Sequence, residues 1–87
     1  MLFMTMTSGE LLEHARKKRK LSREKLVVKL QLETGYELSV TRLRRIETGK
    51  TRKRLEDVVQ LCRLLDVSLD DLVECLENEK TEEESGK

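Results

Sequence analysis

The chain has 87 residues, enough for one small domain with a thin core, and with one Phe, one Tyr and no Trp that core must be built from Leu and Val. No proline, only four glycines and long stretches of 3.6-residue apolar periodicity point to an all-α fold, and no apolar run is long enough to cross a membrane. The formal net charge is only +1, but it is sorted: residues 14–54 hold 15 Lys/Arg against 4 Asp/Glu, residues 55–87 hold 3 against 11, and the basic half has the make-up of a polyanion-binding surface.

The first element is predicted over Ser8–Lys18. Thr7-Ser8-Gly9-Glu10 fits a capping box, Leu11, Leu12 and Ala15 share an inward face, and Arg16-Lys17-Lys18-Arg19-Lys20 forms a basic end that the helix dipole also favours. Ser22 caps a second helix whose apolar stripe is Leu26, Val27 and Leu30. Glu33 to Glu37 reads as a turn, with Gly35 as its site for positive φ. The third helix starts at the N-cap Ser39 and ends before Gly49, where a left-handed cap is wanted. Leu43 and Ile46 face inward while Thr41, Arg42, Arg44 and Arg45 project elsewhere. A core-facing helix has no use for three arginines in four residues. A helix in the DNA major groove does, because guanidinium matches both phosphate oxygens and the acceptor edge of guanine.

Lys50 to Arg54 is a basic loop. A fourth helix, about Leu55–Leu65, aligns Leu55, Val58, Leu61, Cys62 and Leu65, and Ser68-Leu69-Asp70-Asp71 starts a fifth carrying Leu69, Leu72, Val73 and Leu76. The chain thus divides into an apolar N-terminal segment (1–7), a helical domain (8–76) and an acidic tail (77–87) expected to be disordered, since it lacks apolar periodicity. Cys62 and Cys75 are too few and too far apart for a disulfide scaffold or zinc site, and His14 is a lone histidine, so neither metal nor other cofactor is expected. There is no nucleophile–base pairing and no phosphate-cradling glycine loop, so no enzymatic activity is expected. Met1-Leu2-Phe3-Met4 lacks the basic flank and long apolar run of a signal peptide, which leaves a cytoplasmic, nucleoid-associated protein without a membrane partner as the expectation.

Between Leu12 and Leu72 the sequence resembles the Cro/cI-type helix-turn-helix proteins, the XRE or phage-repressor-like family. The marks are Leu12 to Arg16, Leu21-Ser22-Arg23-Glu24-Lys25-Leu26, Ser39 to Lys50 around Ile46-Glu47-Thr48-Gly49, and Leu61 to Leu72. The resemblance implies a compact five-helix lambda-repressor-like domain that docks its third helix in the major groove while the second crosses above it. It assigns Val40, Thr41 and Arg45 to base reading and Arg23, Arg42, Arg44, Lys50, Arg52 and Lys53 to phosphates. It further implies a partly buried ion pair between Arg16 and Glu47. Two departures stand out. The connection between helices 2 and 3 is longer by about six residues over 31–36, taken up by a longer helix 2 or by altered docking of helix 3, and Val27 stands where the family prefers Ala.

The leading functional expectation is a sequence-specific, double-stranded DNA-binding transcriptional regulator, a repressor acting as a homodimer on an inverted repeat. One such domain reaches only about half a turn of DNA, too little for useful specificity alone. Helix 5 has more apolar residues than a four-helix core needs, which nominates Leu69, Val73 and Leu76 as the dimer interface, with Leu2, Phe3 and Met4 as an addition. The alternative is a protein-interaction module, a coactivator or antitoxin-like bridge with a protein partner, which would have no need of the arginine helix. Structured RNA is disfavoured by the lack of aromatics for base stacking.

Overall fold

A computed structural model describes residues 6–50 and 54–85, with side chains to residue 77. It consists of five helices, α1 (Ser8–Lys18), α2 (Arg23–Thr34), α3 (Val40–Thr48), α4 (Leu55–Leu65) and α5 (Leu69–Ser85), and no strand occurs among the described residues. The all-α, five-helix expectation holds. α1 is central, packing against α3, α4 and α5, while α2 packs against α3 and α4.

Local chemistry sets the helix ends. Thr7 closes a reciprocal capping box with Glu10, and Ser22 and Ser39 each accept the backbone N–H three residues on. Ser68 Oγ likewise accepts from the Asp71 N–H at 3.1 Å. α3 stops at Gly49, whose φ of 73° lets the Lys50 N–H reach back to the Arg45 carbonyl at 2.9 Å. α1 stops in the same way but without glycine. Lys20 holds φ at 59° while the Leu21 N–H bonds the Arg16 carbonyl, a left-handed conformation that costs an ordinary residue about 1–2 kcal/mol.

Leu12, Leu26, Leu30, Leu43, Ile46, Leu61 and Leu65 form the main core between the first four helices. A second cluster of Leu11, Val58, Leu72 and Cys75 seats the start of α5, with Met6 packed on it. Cys75 is therefore a small buried hydrophobe, and burial pushes the half-buried Cys62 thiol up from its ordinary range.

The added length before α3 is absorbed largely by α2, which runs to Thr34 and ends at Gly35 with φ 76°, so the connection proper is only residues 35–39. The acidic segment from Glu77 continues α5 through Ser85. Glu and Lys are good helix formers, and extending an existing helix needs no new nucleus, so apolar periodicity is not required for α5 to continue. Leu2, Phe3 and Met4 lie outside the described residues.

Gly9 decides how closely α1 meets α3. A Cβ at this position would lie 2.4 Å from the Ile46 carbonyl oxygen and 2.6 Å from that of Glu47. The N-terminus of α1 thus abuts the C-terminus of α3, an arrangement the two helix dipoles favour. Helix propensity alone would make Gly9→Ala stabilising by about 1 kcal/mol. We expect the reverse, a loss of about 1–3 kcal/mol from the enforced backbone shift, measured by thermal or urea denaturation; an unchanged midpoint would refute the close approach.

Candidate nucleic-acid interface

α3 presents three kinds of surface. Leu43, Ile46 and Glu47 are buried, Val40 and Arg42 are half-buried, and Thr41, Arg44, Arg45 and Thr48 are exposed. Thr41, Arg45 and Thr48 fall at i, i+4 and i+7, one continuous outward strip. Thr48 was not singled out from the sequence although this spacing marks it; its hydroxyl donates to the Arg44 carbonyl at 2.9 Å. Neither Arg44 nor Arg45 forms an ion pair among the described residues. Arg44 borders a polar cleft where the N-termini of α2 and α3 converge, shared with Ser22, Arg23, Val40 and Thr41. Arg16 and Glu24 also line it, and a cleft with two helix N-termini and three arginines against one acid can accept an anionic oxygen.

Behind this surface α1, α2 and α3 meet at one carboxylate. The Glu47 side chain is wholly buried. Its Oε2 accepts from Arg16 Nε at 2.8 Å, and its Oε1 accepts from Arg23 Nε at 2.8 Å and Arg16 Nη2 at 3.3 Å. Arg16 also donates through Nη1 to the Leu21 carbonyl at 2.8 Å. Glu13 balances the second arginine, 3.8 Å from Arg16 and 3.7 Å from Arg23, and pairs with Lys17 at 3.4 Å. Arg16 and Glu47 are thus paired, and Arg23 is held at the start of α2 by the same acid. Arg23 still has part of its guanidinium in solvent, its side chain being 28% exposed.

A second carboxylate fixes the other end of α3. Asp57, buried in the first turn of α4, accepts from Arg42 Nε at 2.7 Å and from the Tyr36 hydroxyl. Arg42, expected on phosphate, pairs with Asp57 through Nε while its side chain stays 27% exposed, and Tyr36 anchors the 35–39 connection to α4. No local pattern in the sequence marks Asp57, because both partners are distant in the chain. The hydrogen bond to Asp57 holds the Tyr36 hydroxyl in its protonated form and pushes its pKa up to about 12, with burial and the Asp57 charge acting in the same direction.

The basic run at the end of α1 is largely structural. Arg16 holds Glu47, Lys17 faces Glu13, and Arg19 Nε caps α4 by donating to the Leu65 carbonyl at 3.2 Å. Lys18 and Lys20 remain exposed, as does Lys50 after α3. Arg52 and Lys53 lie outside the described residues. No group of three His, Cys, Asp or Glu is placed to hold a metal ion, and no helix is long and apolar enough to cross a membrane, among the described residues.

A family model for the helix-turn-helix domain matches residues 9–75, from the first turn of α1 to the buried Cys75 of α5. The chain belongs to the helix-turn-helix domain family. No curated protein and no solved structure gives a significant match. In this family's DNA-binding geometry the second helix of the motif lies in the major groove while the first crosses the backbone, the roles that α3 and α2 have the surfaces to fill. The partner class is therefore DNA, and the fold belongs with transcription regulation.

The two carboxylates give separate tests. Glu47→Gln keeps the shape but removes the buried charge partner of Arg16 and Arg23, leaving them only the longer contacts to Glu13, and we expect it to cost about 3–5 kcal/mol of unfolding free energy in urea titrations; a loss below about 1 kcal/mol would mean that the pair is solvated. Tyr36 is the only tyrosine and there is no tryptophan, so phenolate absorbance reports this residue alone. Its folded pKa lies above the unfolded value, so the stability it contributes is complete below pH 10 and is lost as pH rises through about 12. We expect ionisation near pH 12 in the native chain and a return toward 10 in Asp57→Asn; ionisation near 10 in both would break the assignment.

Proposed function

We propose that this protein is a sequence-specific, double-stranded DNA-binding regulator of the phage-repressor-like type, acting as a repressor and homodimer on an inverted repeat. The observation that carries the proposal is the exposed Thr41–Arg45–Thr48 strip with Arg44 at its edge, set on a helix whose other faces are fully engaged in the fold. In this reading Thr41 and Arg45 reach base edges and Val40 makes apolar contact at the rim. Arg23, Arg44, Lys50, Arg52 and Lys53 meet phosphates. Arg42 holds the axis of α3 through Asp57 and offers its remaining guanidinium N–H groups to phosphate. The protein then works in the cytoplasm at the nucleoid, with no cofactor.

Homodimerisation follows from how little DNA one domain spans. It is supported by Leu69, Val73 and Leu76 on α5, which are 72%, 44% and 41% exposed and so are not consumed by the monomer core. A bridging module that binds only protein would have no use for two exposed arginines without carboxylate partners on one turn of α3.

Base reading and backbone positioning separate experimentally. Arg45→Ala is expected to cost about 1–3 kcal/mol on the preferred site and to relax selection at one base pair, a guanine, because arginine reaches O6 and N7 together. Lys50→Ala is expected to weaken all sequences alike and lower the salt-dependence slope by about 0.9. Selection of bound sequences from a random duplex pool, followed by titrations at several salt concentrations, measures both. An even loss across all sequences for Arg45→Ala would show that α3 is rotated away from the bases.

A further inference from the structure

The turn that ends α1 holds a residue ill suited to its backbone. A helix that closes in a left-handed turn usually carries glycine there, and sometimes asparagine, because these adopt positive φ at little cost. α2 and α3 follow that rule with Gly35 and Gly49. Among the described residues only Lys20 and Asp66 hold positive φ without being glycine. Asp66, after α4, has the short polar side chain that tolerates this conformation. Lys20, after α1, does not. Its φ of 59° is imposed by the turn, in which the Lys20 N–H reaches the Lys17 carbonyl at 2.9 Å and the Leu21 N–H reaches the Arg16 carbonyl at 3.2 Å.

The lysine side chain does not repay that strain within the fold. It is exposed and pairs with no carboxylate among the described residues, and the dipole of α1 is already met by Arg16, Lys17 and Lys18 in its last turn. The backbone on either side is fixed, since Arg19 donates to the Leu65 carbonyl, Arg16 donates to the Leu21 carbonyl and Ser22 caps α2. Lys20 is therefore an unpaired ammonium on an anchored turn. Its place is also defined: Ser22 and Arg23 line the polar cleft with Thr41 and Arg44, and three residues of chain span at most about 11 Å, so Lys20 stands beside that cleft.

We propose that Lys20 is a further phosphate-binding residue, contacting the DNA backbone next to the phosphate met by Arg23 at the start of α2, and that the strained backbone is the cost of placing a charge at this point. The proposal rests on the DNA-binding reading above. Lysine suits the task, because a compact ammonium on a flexible stem takes a phosphate oxygen without a fixed approach angle. The contact carries no base information and adds equally to binding of every sequence.

Lys20→Gly separates the fold from the contact, since glycine fits the turn and removes the charge. Its thermal midpoint is expected at, or up to about 5 °C above, that of the parent, with relief of strain offsetting the entropy that glycine adds to the unfolded chain. Its affinity for duplex DNA of random sequence is expected to fall about five- to tenfold at 0.1 M salt, with a salt-dependence slope lower by about 0.9. Lys20→Arg should retain the affinity and slope of the parent. Arg63→Gln removes one positive charge from the cleft between α4 and α5, which neither α2 nor α3 lines, and should leave the slope unchanged. A Lys20→Gly chain that binds like the parent, or melts several degrees lower, or an Arg63→Gln loss of equal size would overturn the Lys20 contact and leave DNA binding standing. A parent chain without salt-dependent affinity for duplex DNA would overturn both.

Discussion

The Glu47 carboxylate is the constraint on which the arrangement of the motif depends. It sits without solvent contact between three helices and accepts from two arginines, one on α1 and one at the first residue of α2. A buried ion pair is not in itself a source of net stability, because the desolvation of the charges offsets most of the attraction. What it supplies is position. A hydrophobic contact can slide by an ångström at little cost, whereas two guanidinium groups sharing a carboxylate fix the angle and the register of the helices that bear them. Gly9 acts on the same junction, letting the α1 backbone come against the last carbonyls of α3. The helix with the exposed arginines is therefore held at its C-terminal half by one acid and one absent side chain.

Its N-terminal half is held by Asp57, and this second node explains how the chain tolerates the added length ahead of α3. Added residues between the helices of the motif would ordinarily loosen the docking of the second. Here α2 extends to Thr34, Gly35 ends it in a left-handed turn, and Tyr36 ties the remaining connection to the first turn of α4. Arg42 reaches the same carboxylate from α3. The extension also lengthens the solvent face of α2, adding the exposed Leu32 beyond Val28.

Much of the fold was legible because local signals coincide with boundaries. α1 and α4 span the residues expected, and α3 starts and stops at the expected caps; Thr7, Ser22, Ser39 and Ser68 announce helix starts through short polar side chains, and Gly35 and Gly49 announce stops through positive φ. The Arg16–Glu47 pair was legible only through family resemblance. Asp57, the tightness at Gly9 and the length of α5 were not. The first two are tertiary facts, set by residues between 15 and 38 positions away, and no local pattern encodes them. Beyond Glu77 α5 continues without an apolar face, because a Glu-rich extension of an existing helix needs none.

Charge sorting along the sequence overstates the size of the nucleic-acid surface, and the structure explains why. Of the basic side chains from Arg16 to Arg45, Arg16, Lys17, Arg19, Arg23, Lys29 and Arg42 are each engaged with a carboxylate or a helix carbonyl. A cation so engaged must give up that partner, wholly or in part, before it can neutralise a phosphate, and its contribution to counterion release falls accordingly. Net basic charge therefore marks the basic half of the molecule without marking which of its cations are free at the surface. The latter follows from helix geometry. On α3 a step of three or four residues keeps a side chain on the same face, so Arg45 stays with Thr41 in solvent, Arg44 turns with Val40 toward the start of α2, and Arg42 turns toward α4. Three arginines in four residues become one outward probe, one at the lip of a cleft and one strut, and moving the arginine pattern by a single position would exchange those roles while leaving composition and charge unchanged.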